Sequence, residues 1–228
     1  VENRDRKPRR LSVFPFVEYA NFWHLWMDWV NLQYTQFIME MKVVDGIIEH
    51  AVNPLLPVVK GDFNAGGAKH TFLAMTGAEI RGFDTDRERF IGPYRGYGNP
   101  AVVETGRCSG SIAVGGNGCG VFQADVDLKP GESREILVLM GIGRAAEEGM
   151  EARAAFSDPA VCRSEFERVK SYWHSRLTAF TVETPDPEFN SMMNVWNPYN
   201  CLITYAWSRA ASLVYAGERD GLGFRDTV

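Results

Sequence analysis

The strongest constraint on the fold of this chain is a change in the spacing of its apolar residues near Gly143. Up to that point, short segments rich in Val, Ile, Phe and Tyr are separated by Gly, Pro, Asn or Asp, which is typical of β-strands joined by turns. Beyond it, apolar residues recur at helical spacing. The sequence therefore predicts an antiparallel β region followed by a helical region.

The β region contains several predicted strands and one clear alternating pattern. The predicted strand segments are LSVFPFVEYA, VVDGIIEHAV, TFLAMTGAEI and AVVETG. The alternating residues are Phe122, Ala124, Val126 and Leu128 before a turn at 129–132, and Ile136, Val138 and Met140 after it. This period of two predicts half-buried antiparallel strands. Because no helix is indicated between the strands, we predict a β-sandwich rather than a parallel α/β sheet.

Two Asp-Pro pairs mark predicted helix starts, since Asp is a good N-cap and Pro fits the first helical position. Asp158-Pro159 precedes an apolar stripe, and Asp186-Pro187 precedes a helical hairpin that Asn197-Pro198 would interrupt. The stripe residues are Phe166, Val169, Trp173 and Leu177, and the hairpin runs from Phe189 to Leu213. We therefore predict a sandwich domain over 1–156, a helical linker over 157–184 and the start of a helical domain over 185–228.

Composition excludes several classes of partner. The net charge of -5 gives no electrostatic basis for binding nucleic acid or an anionic membrane surface. No stretch approaches the ~18 apolar residues that span a bilayer, and the charged first ten residues do not resemble a secretory signal. The four Cys and four His lack metal-ligand spacing, so we expect reduced thiols, no metal, no cofactor and a cytoplasmic protein.

The segment 207–226 is the first candidate site, because an apolar run there ends in a glycine-rich loop. Arg209 lies among apolar and small residues, where a guanidinium needs an anionic partner. Glycines at 217, 221 and 223 favour a sharp loop, which would present Arg219, Asp220, Arg225 and Asp226 together. Such a set suits a polyhydroxylated ligand, but a structural network of ion pairs fits the same spacing.

The segment 90–100 is the second candidate site. Tyr94, Arg95 and Tyr97 lie there among glycines and prolines, a composition that suits a protruding loop that stacks on a sugar. An ordinary ordered loop is the alternative interpretation. The glycine-rich segment 109–120 lacks the Lys and Ser/Thr of a phosphate-binding loop and does not lead into a helix.

Several long segments, in order along the chain, resemble the cellobiose and chitobiose phosphorylases of glycoside hydrolase family 94. They are RRLSVFPFVEYANF, NLQYTQ, FDTDRERFIGPYRGYGNP, LKPGESREILVLMGIG and NVWNPYNCLITYAWSRAASLVYAGERDGLGFRDTV. The resemblance implies an antiparallel β-sandwich, a helical linker and the first helices of an (α/α)6 catalytic barrel. It also implies that the catalytic acid and further helices follow Val228.

The resemblance also implies roles for individual residues. Arg209 would bind phosphate, Arg219 and Asp226 would hold the sugar in subsite -1, and the Arg95 loop would reach the active site of the partner subunit in a homodimer. The implied activity is inverting phosphorolysis of a β-1,4-linked disaccharide such as chitobiose, cellobiose or cellobionate, with inorganic phosphate as co-substrate. Two alternatives stay open: a non-catalytic carbohydrate-binding or assembly fragment, and a related inverting hydrolase.

Overall fold

The computed structural model describes residues 1–19, 39–52 and 69–207. The chain forms two compact units, Val1–Cys162 and Arg163–Val228. The first unit contains all the described strands, and the described part of the second is helical. This order agrees with the predicted change from strands to helices.

Eight strands build the first unit. They are β1 (Arg9–Val13), β2 (Phe16–Glu18), β3 (Met39–Val44), β4 (Ile47–Val52), β5 (Lys69–Thr76), β6 (Ile80–Asp86), β7 (Gly118–Leu128) and β8 (Leu137–Ile142). The helices are α1 (Arg87–Ile91), α2 (Ala101–Thr105), α3 (Met150–Ala155), α4 (Pro159–Leu177), α5 (Pro187–Ser191) and α6 (Asn197–Trp207). π-helical turns at Ala145–Gly149 and Met192–Trp196 lead into α3 and α6.

The strands form two antiparallel sheets. In the first sheet, β1 and β2 pair one after the other along one edge of the long strand β7, and β6 pairs along its opposite edge. The second sheet has the order β3-β4-β5-β8. Pro15 separates β1 from β2 because it has no N–H to donate, although its carbonyl still accepts from Phe122 N at 3.3 Å.

The two sheets pack face to face around a buried core. Met41, Ile48 and Leu73 of the second sheet meet Phe122 and Ala124 of the first, and all five are almost fully buried. Short helices cover the outer faces: α1 and α2 lie on the first sheet, while the Ala145–Gly149 turn and α3 lie on the second. The predicted antiparallel β-sandwich followed by helices is therefore confirmed.

The two strands on either side of the predicted turn at 129–132 do not pair with each other. β7 and β8 lie in different sheets, since the chain crosses between the sheets after the turn at 129–132. β7 is buried on both faces rather than half-buried, because the core covers one face and α1 and α2 the other. In β8 the residues predicted to face inward, Val138 and Met140, are exposed at the sheet edge.

The segment AVVETG forms helix α2 rather than the predicted strand. Pro100 precedes its first turn, and Gly106 ends it in the left-handed conformation at φ 71°. Only Val102 of this helix is buried, in the cluster that α1 also joins. Burial on a single helical face therefore overrides the strand preference of its β-branched residues.

Two other predicted strand segments each contain a turn. VVDGIIEHAV is a β3–β4 hairpin whose tip, Asp45 and Gly46, has φ 49° and 74°, the left-handed pair that a two-residue hairpin turn requires. TFLAMTGAEI contains most of β5, a turn and the first residue of β6. Gly77, in the turn, has a φ of 87°.

Both predicted helix starts are confirmed. Asp158 accepts from the backbone N–H of Ala160 at 2.8 Å, and Asp186 accepts from two backbone N–H groups at the start of α5. At Asn197-Pro198 the chain stays helical, but the α-helix is interrupted just before this pair by the π-helical turn Met192–Trp196, so the predicted interruption takes the form of a change in helix type. Leu213 lies outside the described residues. The predicted apolar stripe of α4 does form on the helix, but its four side chains, Phe166, Val169, Trp173 and Leu177, are exposed.

Candidate functional site

Arg95 lies on a surface loop, residues 92–100, whose two ends are fixed by short helices. Asp86 caps the start of α1 by accepting from two backbone N–H groups. Gly92 ends α1 at φ 87°, and a Cβ at this glycine would lie 2.8 Å from the Cβ of Ala101 in α2. The chain therefore enters and leaves the loop at almost the same point. We call residues 92–100 the Arg95 loop.

Local hydrogen bonds shape the Arg95 loop into two consecutive turns. Arg95 N donates to Gly92 O at 3.4 Å, and Asn99 N donates to Gly96 O at 3.1 Å. The Asn99 side chain also accepts from Gly96 N at 3.2 Å. Tyr94 adopts a left-handed φ of 58° and is fully exposed at the tip. An exposed aromatic ring on an ordered turn fits the predicted surface for stacking on a sugar.

The guanidinium of Arg95 is already paired within its own surroundings. Its Nη1 donates to the Glu104 carboxylate of α2 and to the Asn99 carbonyl, the latter at 3.4 Å. Nε and Nη2 make no such bond among the described residues and keep donors for a ligand. Because Glu104 offsets the charge, this arrangement favours neutral hydroxyl groups over an anion.

The base of the Arg95 loop is tied to the sandwich by three polar side chains, Glu18, Arg87 and Tyr97, which we call the anchor cluster. The Tyr97 hydroxyl donates to Glu18 Oε2 at 2.5 Å and accepts from Arg87 Nη2 at 3.0 Å. Arg87 Nε lies 2.6 Å from Glu18 Oε1. The three groups therefore form a closed ring of charge-assisted hydrogen bonds between β2, α1 and the loop.

The surroundings of Tyr97 keep its hydroxyl protonated. Burial raises the pKa of Tyr97, and the Glu18 carboxylate beside it adds to the rise. The phenol is therefore a donor to Glu18 at neutral pH. Its ring packs against Phe16, at 5.7 Å between centroids, and Phe16 in turn stacks on Phe90 of α1.

A surface pocket of about 370 Å³ lies between α1 and the Arg95 loop. Three arginines, two carboxylates and the Tyr97 side chain contribute to its wall. The charged residues are Asp86, Arg87, Glu88, Arg89 and Arg95. The wall therefore contains both donors and acceptors, which a polyhydroxylated ligand needs.

The glycine-rich segment 109–120 serves a buried carboxylate instead of a phosphate. Asp84 is fully buried and accepts from the backbone N–H and hydroxyl groups of both Ser109 and Ser111. The neighbouring Thr85 hydroxyl accepts from Ala113 N at 2.9 Å. The amides that would have to cradle a phosphate already have an anionic partner, which agrees with the weak sequence signal for such a loop.

The other predicted site residues, Arg209, Arg219 and Asp226, lie outside the described residues, so their roles stay predictions. Sequence reasoning missed Glu18, Arg87 and Glu104. The latter two lie close in sequence to the Arg95 loop, but nothing in the sequence links Glu18 to Tyr97, 79 positions later.

No helix among the described residues is long and apolar enough to cross a membrane. Within the same ranges, no group of three His, Cys, Asp or Glu side chains is placed to hold a metal ion.

The four cysteines are free thiols, of which Cys108 and Cys119 are buried. Burial raises the pKa of Cys108 to about 12, so this thiol is unreactive at neutral pH.

The two facing antiparallel sheets define a β-sandwich protein, and comparison with known families shows which family it belongs to. Residues 1–159 match the family described as "Glycosyl hydrolase 94, supersandwich domain". Residues 172–228 match the "Glycosyl hydrolase 94 superfamily, catalytic domain". The chain belongs to glycoside hydrolase family 94.

Two of the relatives align along the whole chain and a third along part of it. N,N'-diacetylchitobiose phosphorylases from Vibrio furnissii and Vibrio proteolyticus are 30% and 31% identical over 228 residues, which is 100% of this chain and 27% of each relative. A 3-O-beta-D-glucopyranosyl-beta-D-glucuronide phosphorylase from Paenibacillus borealis is 35% identical over 146 residues, 62% of this chain and 19% of the relative. The chain thus spans about a quarter of the length of the Vibrio relatives.

Proposed function

We propose that this chain is part of an inverting disaccharide phosphorylase. The supporting observation is the match to a supersandwich domain and a catalytic domain of one family, in that order, together with alignment of the whole chain to two diacetylchitobiose phosphorylases. The substrate would be a β-1,4-linked disaccharide such as chitobiose, cellobiose or cellobionate. The helices from 185 onward would begin an (α/α)6 barrel that holds the reaction.

The proposed reaction needs one carboxylic acid rather than two. An inverting hydrolase uses a general acid for the leaving oxygen and a general base to activate water. Phosphate is already an anionic nucleophile. One of its oxygens would form a bond to the anomeric carbon while the glycosidic C–O bond breaks. The leaving oxygen would take the bonding electrons and a proton from a general acid. The products are an α-sugar-1-phosphate and a free sugar.

Each predicted site residue has a part in this proposal. Arg209 would hold the attacking phosphate, and Arg219 and Asp226 would hold the sugar of subsite -1. Arg95 would reach the same site from the partner subunit of a cytoplasmic homodimer, where its free N–H donors suit neutral sugar hydroxyls. Positioning of a bound anion against the anomeric carbon would supply much of the rate enhancement.

Product analysis of the full-length protein tests the proposal. We expect α-sugar-1-phosphate from chitobiose, cellobiose or cellobionate only when inorganic phosphate is present. Two equivalents of free sugar formed without phosphate would instead identify a hydrolase. Binding of the disaccharide without any turnover would identify a carbohydrate-binding or assembly protein.

Replacement of Arg209 tests the phosphate site. Arg209→Ala in the full-length enzyme should lower kcat/KM for phosphate about 30-fold, because one charge-assisted contact is worth ~2 kcal/mol. The effect should appear mainly in KM for phosphate, measured at saturating disaccharide. Unchanged phosphate kinetics would remove Arg209 from the site.

Replacement of Arg95 tests the role of its loop. Arg95→Ala should lower kcat/KM for the disaccharide about 30-fold, again from the loss of ~2 kcal/mol of hydrogen bonding by a charged donor. Arg81→Ala is the matched control, because Arg81 is half-exposed and pairs only with Glu79 among the described residues. Equal kinetics for the two variants would contradict the prediction.

Mixed dimers then show in which subunit Arg95 acts. Arg95→Ala subunits are combined with Asp226→Asn subunits, each nearly inactive as a homodimer. If Arg95 acts across the interface, each mixed dimer regains one intact site, and activity should recover well above that of either parent. If it acts within its own subunit, both sites stay defective and no recovery occurs.

A further inference from the structure

The anchor cluster of Glu18, Arg87 and Tyr97 is the feature of the first unit that the proposed reaction does not use. Strand β7 brings its members together: Glu18 pairs opposite Cys119, and Asp86, the residue before Arg87, pairs opposite Gly118. The Glu18 and Arg87 side chains therefore meet over the same end of β7. Both are mostly buried, with 14% and 27% of the side chain exposed.

Among the described residues, Tyr97 makes the long-range hydrogen bond that links the Arg95 loop to the sandwich. Among the described residues, the hydrogen bonds of the other loop residues stay within the loop or reach only Glu88 and Glu104 in the flanking helices. The Tyr97 hydroxyl instead reaches Glu18, 79 positions away. Loss of this hydroxyl would leave the Glu18–Arg87 ion pair intact and free the loop to move relative to β2.

We propose that the anchor cluster positions Arg95 for substrate, with Tyr97 as the positioning residue that acts through it. This inference rests on the proposed function, in which Arg95 donates hydrogen bonds to the disaccharide. Tyr97 itself touches neither the reacting atoms nor phosphate in this assignment. Its hydroxyl holds the loop in one orientation, so that the free N–H groups of Arg95 are oriented for hydrogen bonding before the sugar binds. Such preorganisation lowers the entropic cost of binding.

The test is a double-mutant cycle in the full-length enzyme. Tyr97→Phe removes one oxygen and keeps the ring against Phe16. We expect kcat/KM for the disaccharide to fall about fivefold through a higher KM, the size of effect that one lost hydrogen bond produces. In an Arg95→Ala background the same substitution should have no further effect, because Tyr97 acts through Arg95.

Hydrogen exchange supplies a second readout that is independent of activity. Backbone amides of Gly96 and Asn99 should exchange faster in Tyr97→Phe than in the parent, whereas Tyr172→Phe, a matched loss of a hydroxyl on α4, should leave them unchanged. An equal kinetic loss in both backgrounds overturns the proposal, as does unchanged exchange. If Arg95→Ala itself leaves kcat/KM for the disaccharide unchanged, the proposed role of Arg95 fails. The hydrogen-exchange data still decide whether Tyr97 holds the loop.

Discussion

Asp226→Asn in the full-length enzyme should lower kcat/KM by at least about 100-fold, equivalent to ~2.7 kcal/mol of transition-state stabilisation. The proposed role of Asp226 is to accept hydrogen bonds from hydroxyls of the sugar in subsite -1. Those bonds strengthen as the ring flattens and gains positive charge in the oxocarbenium-like transition state. Asparagine keeps the size and removes the charge, so kcat should fall as well as binding. Initial-rate kinetics at varied disaccharide concentration measure both kcat and KM.

Asp220→Asn is the matched control for this prediction. It makes the same chemical change on the same glycine-rich segment, at a carboxylate that has no assigned role. Its effect should be much smaller than that of Asp226→Asn, with both variants folded by circular dichroism. Near-normal turnover of Asp226→Asn would leave the structural ion-pair network as the better explanation of this segment.

Asp84→Ala should destabilise the sandwich by about 3–5 kcal/mol, because it removes a fully buried carboxylate that accepts two half-buried hydrogen bonds from Ser111, worth roughly 1.5–3 kcal/mol each. The Asp84 carboxylate accepts four hydrogen bonds at Oδ1 alone, from the amides and hydroxyls of Ser109 and Ser111. Without it, the half-buried amide and hydroxyl of Ser111 lose their acceptor, whereas the exposed Ser109 can bond to water instead. Urea unfolding of the chain, followed by circular dichroism, measures the loss.

Two further variants separate the causes of that loss. Asp84→Asn keeps one acceptor oxygen but places an NH₂ group opposite the Ser109 amide, so an intermediate loss of ~1–3 kcal/mol is expected. Asp127→Ala removes a carboxylate whose side chain is 80% exposed and should change stability by less than about 0.5 kcal/mol. Equal midpoints for Asp84→Ala and Asp127→Ala would show that the buried network adds nothing.

Local signals predicted much of the architecture. The Asp-Pro pairs at 158 and 186 correctly mark helix starts, because capping depends on neighbouring residues alone. The strand segments are also largely correct, since alternation reports one buried face. These patterns failed where burial came from distant parts of the chain. AVVETG became a helix because one face packs on the first sheet, and β7 is buried on both faces because α1 and α2 cover it.

Strand pairing was the harder inference. The turn at 129–132 has the residues of a hairpin, yet the strands on either side of it join different sheets. Alternation shows that a strand has a buried face and does not show which neighbour it takes. The sequence likewise drew attention to Arg95 and Tyr97 through their composition. Their partner Glu18 could not be predicted from the sequence, since only the register of β2 and β6 on β7 places Glu18 near Arg87 and Tyr97.

Because Gly92 and Ala101 approach closely, the Arg95 loop can be changed without disturbing the sandwich. Because the chain leaves the sandwich and returns to it at nearly one point, the segment between these residues is an exchangeable module. Lengthening such a closed segment costs little, as the closure entropy grows only with the logarithm of its length. Residues of the loop other than Tyr97 can therefore be replaced, or residues added, while the strands beneath keep their register.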